Sequence, residues 1–304
     1  MTSKRNAFHL NEFGVIVFAM QGPEIIVRSL SAQRIADSHG NHWQYHPQSD
    51  QHSKISCWAI LFDLLLNCAL VRKHIEDGKI GFGINHKMTD FTSGRPKDLD
   101  LVLSVPRTDS KSTSTSAISF ESLVAEYAIS LTPPETKLLS QLPKLSRRPV
   151  GDVVMALEAK AAMTAHGRAA PRLFDELTSA WQCINGSAEQ AIAIGFGLVN
   201  AAPEFVSPKM NKQQVFEGLA VVNRENQPNA VEHVYRRIRN LKVRGHTTER
   251  GYDAIGVTTI MARNDGSPIT LAPIPPALPS DDPLHYERMI LRVAGIYTSR
   301  FLTL

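Results

Sequence analysis

Glu158 and Lys160 are the residues of this chain whose types and spacing point most directly to chemistry. The apolar run VVMAL leads straight into them. That run predicts a buried strand, and residues two apart in a strand project from the same side. Two interpretations remain open at this point: an ordinary ion pair at the end of a strand, or one half of a catalytic site.

An acidic segment lies upstream, in the alternating sequence DLDLVLSV. The pattern predicts a strand with Leu99, Leu101 and Leu103 on one face, and Asp98 and Asp100 on the other. If this strand pairs with the one that carries the acid–lysine pair, carboxylates and one ammonium group converge. Oxygen ligands of this kind suit Mg²⁺ or Mn²⁺, and a nearby lysine can orient or deprotonate a water molecule. Hydrolysis of a phosphodiester needs these groups together.

The two segments resemble the signature of the PD-(D/E)XK nuclease superfamily, which has the restriction-endonuclease-like fold. KDLDLVL is similar to the first acidic motif of that family, and LEAK is similar to the second. The resemblance implies that Asp100 and Glu158 bind Mg²⁺, with Mn²⁺ as a substitute, and that Lys160 is the catalytic lysine. Asp98 stays open as an alternative first ligand. We prefer Asp100 because it lies inside the alternating strand.

The acid–x–lysine triplet is a weak signal by itself, because the chain contains three others. They are Asp77-Gly-Lys79, Asp109-Ser-Lys111 and Glu135-Thr-Lys137. Only the triplet at Glu158 follows an apolar strand and has an acidic strand upstream. The context therefore favours the catalytic interpretation, and the triplet alone does not.

The order of the remaining elements predicts an α/β fold with a central mixed sheet flanked by helices. The expected elements are a helix at 53–77, strands at 79–85, 98–105 and 151–160, a helix at 171–184 and a strand at 190–200. This order, helix, three strands, helix and strand, is the core that the resemblance implies. Residues 106–150 would be an insertion in a domain that spans residues 53–304, and residues 1–52 would be an N-terminal extension of that domain. Residues 229–304 would form a helix-strand-helix extension. Its first helix is expected at 229–241, with a capping box of Asn229 and Glu232.

Basic side chains mark two candidate surfaces for nucleic acid. His166 follows the strand that bears Glu158, and Arg168 and Arg172 lie near the start of the next helix, where free backbone N–H groups would suit a phosphate. The stretch 236–250 carries Arg236, Arg237 and Arg239, off the apolar face of the 229–241 helix, and further cations after it. For Arg168 and Arg172, a solvated helix start with Arg172 paired to Glu176 is an equally open interpretation. For the second set, contact with a nucleic-acid backbone and a merely solvated face are both open interpretations.

Composition limits the classes of function. The 304 residues carry a formal net charge of +4, which permits a polyanionic partner without requiring one. Three cysteines without a CxxC pair argue against a disulfide framework. The apolar run from Val15 to Met20 is too short for a membrane span, so we expect a soluble, cytoplasmic protein. Phosphate-loop, dinucleotide-binding and G-x-S-x-G motifs do not occur in the sequence.

The sequence thus predicts a Mg²⁺-dependent endonuclease that hydrolyses DNA, with a role in restriction or phage defence. A homodimer would supply one site for each strand. The alternative is a catalytically inactive subunit of the same fold that binds DNA or assembles with other proteins.

Overall fold

The computed structural model describes residues 8–10, 16–90, 94–107, 118–215 and 220–304. The strands are β1 (Phe8–Leu10), β2 (Ile16–Phe18), β3 (Ile35–Ala36), β4 (His42–Trp43), β5 (Gly81–Asp90), β6 (Arg95–Pro106), β7 (Val150–Ala162), β8 (Ile192–Asn200), β9 (Glu204–Val206), β10 (Val222–Arg224), β11 (Ala254–Met261) and β12 (Thr270–Leu271). The helices are α1 (Gly22–Leu30), α2 (Gln51–Asn67), α3 (Ala69–Glu76), α4 (Leu123–Glu126), α5 (Pro133–Ser140), α6 (His166–Ser187), α7 (Asn229–Arg239) and α8 (Tyr286–Arg300).

A six-stranded mixed sheet forms the centre of the fold, in the order β12-β11-β8-β7-β6-β5. Strands β5, β6 and β7 are antiparallel neighbours, whereas β7, β8 and β11 run parallel. All nine residues of β8 are buried, as expected for a parallel strand covered on both faces. The predicted α/β class, with a mixed sheet flanked by helices, is therefore confirmed. Between α2 and β8 the chain forms α3, α4 and α5 in addition to the predicted order of helix, three strands, helix and strand.

Helices cover both faces of this sheet. One hydrophobic core joins α1, α2, α3 and α8 to the first face, and contains Trp58, Phe62 and Phe196. The other joins α6 and α7 to the second face, and contains Leu177, Trp181 and others. Ile25 and Ile26 of α1 are fully buried in the first core. Helix α1 therefore packs against the sheet, and the division of the chain at residue 53 stays a prediction.

The predicted helix at 53–77 is two helices, α2 and α3, which meet at a 95° bend. Cys68 is extended between them, with φ −122° and ψ 96°. The side chain of Arg72 satisfies the end of α2, because its Nη1 donates to the carbonyl oxygens of Leu65 and Leu66 at 2.6 and 2.8 Å. In the part of the chain that is described, no single helix has the length and apolar character to cross a membrane.

Elsewhere the elements lie close to their predicted positions. Helix α7 begins at Asn229 as expected, but no side-chain capping bond is present at its start, so the predicted capping box of Asn229 and Glu232 is wrong. The segment between β6 and β7 contains α4 and α5, and residues 108–117 within it lie outside the described residues. Thr132 and Glu135 do form a reciprocal capping box at the start of α5.

Candidate active site

The predicted acidic strands are neighbours, and they separate from each other at the candidate site. The β6–β7 pairing runs from the far end of the strands to Leu101 opposite Leu157. The next residues in that antiparallel register are Asp100 and Glu158. Instead of a further backbone pair, Asp100 Oδ2 accepts a hydrogen bond from the Ala159 backbone N–H at 2.8 Å. We call this place, where the Asp100 carboxylate lies between the two strands, the fork.

The strand alternation predicted for Leu99, Leu101 and Leu103 is wrong, because the side chains change faces at the fork. Leu101 and Leu103 pack in the core beneath α2, whereas Leu99 packs in the core beneath α6. Opposite Asp100 in the register of β5 and β6 lies Asn85, which has a left-handed φ of 49°. This local distortion turns the Asp100 carboxylate toward β7 instead of away from it.

Glu158 is a fully buried carboxylate that two lysines neutralise. Its relative exposure is 0%. Lys160 Nζ lies 2.7 Å from Oε1 and Lys97 Nζ lies 3.1 Å from the same oxygen. Oε2 has no hydrogen bond with any described residue. A buried carboxylate oxygen without a partner is costly, and a bound cation or a ligand donor would satisfy it.

The charges of these side chains act on one another. Burial raises the pKa of Asp100 to about 6, with the negative charge of Glu158 adding to the effect and the ammonium of Lys160 opposing it. Burial disfavours the charged form of Lys160, but the carboxylates of Glu158 and Asp100 outweigh burial and raise the pKa of Lys160. Lys160 is therefore an ammonium group at neutral pH, able to donate hydrogen bonds and to stabilise negative charge.

A cleft of about 570 Å³ opens beside the fork. The start of α2, the end of β7, the start of α6 and residues 205–210 line it, and Asp100 and Lys160 both contribute to its wall. Glu158 lies behind Lys160 and does not line the cleft. The predicted catalytic trio of Asp100, Glu158 and Lys160 thus meets in one place, and two of the three face an open cavity.

The acid–x–lysine triplets that the structure describes differ in their surroundings, as the sequence context predicted. Asp77 ends α3 and pairs with Lys73 at 3.1 Å on the surface. Glu135 lies in α5 and pairs with Arg28. The triplet that begins at Asp109 lies outside the described residues. Among the triplets that the structure describes, only the one at Glu158 lies in the sheet.

Asp100 and Glu158 fit a hard divalent cation by their chemistry. Mg²⁺ is commonly held by one or two carboxylates together with water and a substrate phosphate. The carboxylate of Asp100 and the unpartnered Oε2 of Glu158 supply two such ligands. Asp100 and Glu158 are the residues that follow the Leu101–Leu157 pair on the two neighbouring strands. Within the described ranges, no cluster of three or more Asp, Glu, His or Cys side chains is placed to bind a metal.

Asp98, the alternative first ligand, does not belong to the fork. Its side chain is exposed, and it lies opposite Lys87 on the outer strand β5. Asp100 is the aspartate that contacts β7. The position of the two side chains supports the preference for Asp100.

His166 is buried, so the prediction that it contacts nucleic acid is wrong. Its exposure is 1%, and its Nε2 lies 2.8 Å from the carbonyl oxygen of Asn200. Its Nδ1 lies 3.4 Å from Glu225 Oε2. The expected phosphate position at the start of this helix is also occupied, because Glu225 accepts a hydrogen bond from the Ala165 backbone N–H. Helix α6 begins at His166 rather than 171, which places His166 on the inner side of its first turn.

Arg168 and Arg172 do line the cleft. Arg172 Nε donates to Glu176 Oε1 at 2.6 Å, and Glu176 Oε2 lies 3.7 Å from Lys160 Nζ. Arg168 is exposed at the cleft rim. These two arginines therefore stay candidates for contacting a ligand in the cleft.

The arginines of α7 lie away from the cleft. Gln227, just before α7, contacts the carbonyl oxygen of Asn200 at the end of β8. Arg244, just after α7, donates to Ala191 at the beginning of β8. Helix α7 thus runs back along the sheet, and eleven residues span about 16 Å. Its last-turn residues Arg236, Arg237 and Arg239 are exposed, and none of the three lines the cleft.

Two of the cations in the 236–250 stretch have structural partners. Arg239 pairs with Asp282 at 2.7 Å. Arg244 is buried and pairs with Asp253 at 2.8 Å, so it cannot contact a nucleic acid. The prediction of a backbone contact therefore applies only to the exposed arginines of α7, which form a surface separate from the cleft.

Sequence reasoning overlooked Lys97 and Tyr45. Lys97 stands in the first motif, but nothing in the spacing indicates that it crosses to Glu158. The pair of Arg172 and Glu176, four residues apart in α6, is the one that their spacing allowed. Tyr45 belongs to an irregular segment, and only the packing of that segment brings it to the cleft.

Comparison with protein-family models, curated proteins and solved structures found no match for this chain. The chemistry of the fork and the cleft is therefore the basis for assigning a function.

Proposed function

We propose that this protein is a Mg²⁺-dependent endonuclease that hydrolyses phosphodiester bonds in DNA. The observation that carries the proposal is the convergence of Asp100, Glu158 and Lys160 at the fork beside an open cleft. Two carboxylates and an ammonium group, adjacent to cationic side chains, are the groups that this hydrolysis requires.

The topology around the fork supports the same proposal. The α2-to-β8 segment has the element order of the PD-(D/E)XK core, with β5, β6 and β7 antiparallel and β8 parallel to β7. The acids and the lysine lie on the two central strands of that segment, where the two motifs resemble the family signature. The resemblance to restriction-type nucleases supports a role in restriction or phage defence in the cytoplasm, and cutting of both strands is simplest for a homodimer.

Each side chain has a role that its surroundings permit. Asp100 and Glu158 would hold Mg²⁺, which when bound acts as a Lewis acid on the phosphate and activates water. Lys160 carries a proton and therefore donates to a phosphate oxygen, where it stabilises the negative charge that develops during cleavage. Arg168 and Arg172, at the rim, bind and orient the phosphates on either side.

Plasmid cleavage in the presence of Mg²⁺ tests the proposal. We expect Glu158→Gln and Lys160→Met to lower the cleavage rate by at least about 100-fold, because each removes a charge that acts on the transition state. The matched control replaces the surface triplet, as Asp77→Asn with Lys79→Met, and keeps full activity. Full activity in Glu158→Gln would refute the assignment.

The inactive-subunit alternative also has an observation in its favour. Glu158 is fully buried, and Lys97 neutralises it in addition to Lys160, so the carboxylate is already compensated. Calorimetric titration with Mn²⁺ separates the two functions. A nuclease takes up Mn²⁺ with an affinity that falls in Glu158→Gln, whereas a binding subunit shows no uptake that depends on this acid.

A further inference from the structure

One wall of the cleft is aromatic. Tyr45 and His52 lie with ring centroids 5.3 Å apart, and Phe205 packs edge-on to Tyr45 at 6.2 Å. Tyr45 and His52 are partly exposed and line the cleft, whereas Phe205 supports Tyr45 from within the protein. Burial, together with the Lys160 ammonium, lowers the pKa of His52 to about 4, so its ring is uncharged at neutral pH. This wall offers flat π-faces to a ligand.

The cleft also has cationic lining residues. Arg168 and Lys209 are exposed in the cleft and form no ion pair with any side chain in the described part of the chain. Arg172 and Lys160 line it too, each already paired with a carboxylate. The two unpaired cations therefore favour a ligand that brings its own negative charge.

The aromatic and cationic side chains line the same cleft, and Asp100 and Lys160 line it as well. A ligand that stacks on Tyr45 therefore lies in the cavity that Lys160 faces.

The size of the cleft limits what can enter. A volume of about 570 Å³ lies within the range of about 300–1,000 Å³ that pockets for small organic ligands occupy. The major groove alone is about 12 Å wide and about 8.5 Å deep, and the whole duplex is larger than its groove. A paired double helix is therefore too large to enter the cleft. One nucleotide combines a flat base with a phosphate and fits both the aromatic and the cationic lining residues.

We infer that the cleft receives one unpaired nucleotide of a DNA strand, with its base stacked on Tyr45 and its phosphate between Arg168 and Lys209. The inference rests on the proposed function, since it delivers the adjoining phosphodiester to Lys160 and the fork. The substrate is then DNA in which a nucleotide is single-stranded or has been extruded from the duplex.

Binding without divalent cations tests this inference separately from cleavage. The probes are a fluorescent single-stranded 12-mer, a blunt duplex of the same sequence, and thymidine monophosphate as a competitor. The variants are Tyr45→Leu, Tyr45→Phe, and the pair Arg168→Ala with Lys209→Ala. The matched control is Lys137→Ala with Arg147→Ala, two exposed cations that do not line the cleft.

We expect the 12-mer to bind at least ten-fold more tightly than the duplex. Tyr45→Leu should weaken binding of the 12-mer about 5- to 100-fold, whereas Tyr45→Phe should retain it because the stacking face remains. The cleft pair should reduce the slope of log affinity against log salt by about 0.7 for each lost phosphate contact, whereas the control pair leaves it unchanged. An unchanged circular dichroism spectrum and melting temperature of Tyr45→Leu show that its loss of binding is not a folding defect.

Three results would overturn the inference. One is equal affinity for the duplex and the 12-mer. Another is an equal loss of affinity in Tyr45→Leu and Tyr45→Phe. The third is thymidine monophosphate binding as tightly as the 12-mer, which would identify the cleft as a site for a free nucleotide. None of these results depends on cleavage, so loss of activity in Glu158→Gln would still support the proposed function.

Discussion

Lys97 and Lys160 share one oxygen of Glu158, and this arrangement predicts that their substitutions are strongly non-additive. Their Nζ atoms lie 3.1 and 2.7 Å from Oε1. We expect Lys97→Met and Lys160→Met to be mild when made singly, because the buried carboxylate keeps one ammonium partner in each variant. The double variant leaves Glu158 with none.

The magnitude follows from these contacts. One charge-assisted contact contributes about 1.5–3 kcal/mol. The two ammonium groups also repel each other, since they lie no further apart than the sum of their distances to Oε1. At a separation of about 5–6 Å and an effective dielectric constant of about 20, that repulsion is about 3 kcal/mol. Each single substitution therefore leaves the free energy of unfolding unchanged or raises it by up to about 1.5 kcal/mol.

The double substitution is expected to cost about 3–5 kcal/mol, because it leaves an uncompensated buried charge. The coupling energy between the two positions is then at least about 3 kcal/mol. Urea unfolding without divalent cations, followed by circular dichroism, measures all four proteins. The control is the same cycle in a Glu158→Gln background, where only the repulsion between the ammonium groups remains and the coupling energy should be smaller.

Two results would contradict this reasoning. If the single effects add to within about 0.5 kcal/mol, the lysines do not share the carboxylate in solution. If the coupling energy is as large in the Glu158→Gln background as in the native background, it has a source other than the negative charge of Glu158.

Three further outcomes are expected. Burial raises the pKa of Asp63 from 3.8 to about 7, so the folded state holds a proton that the unfolded chain has lost; stability should fall by about 4 kcal/mol as the pH rises from 4 to 7, and Asp63→Asn should flatten this dependence in urea titrations. Asp253→Ala should cost about 3–5 kcal/mol in unfolding experiments, because it strands the buried Arg244, and an effect below 1 kcal/mol would contradict this. Mn²⁺ should raise the melting temperature of the native protein and not of Glu158→Gln, and equal shifts would place metal binding elsewhere.

The sheet could be predicted well because the residue pattern within each strand indicates a strand by itself. The apolar residues of β8 and the alternation in β6 indicate strands without knowledge of their neighbours. Proximity of Asp100, Glu158 and Lys160 required only that these strands pair. The candidate trio could therefore be found from the sequence.

Features that depend on distant contacts could not be predicted. Arg72 stabilises the end of α2 only once α3 has turned back toward it. Glu225, which occupies the start of α6, is 60 residues from Ala165. His166 is buried because the helix begins with Ala165 in a left-handed conformation, with φ 52°, which no local pattern indicates. The corrections at Ala165 and His166 concern polar groups whose partners lie far away in the chain.

The change of faces at Asp100 has a consequence for how the acid is placed. Upstream of it, β6 is anchored through Leu99 to the layer below α6, and downstream through Leu101 to the layer below α2. Two independent apolar layers thus specify the register of the two halves. An insertion of one residue in either half would turn the side chains of that half toward the wrong helices while the other half stayed in place. The position of the Asp100 carboxylate therefore depends on the number of residues in each half of β6.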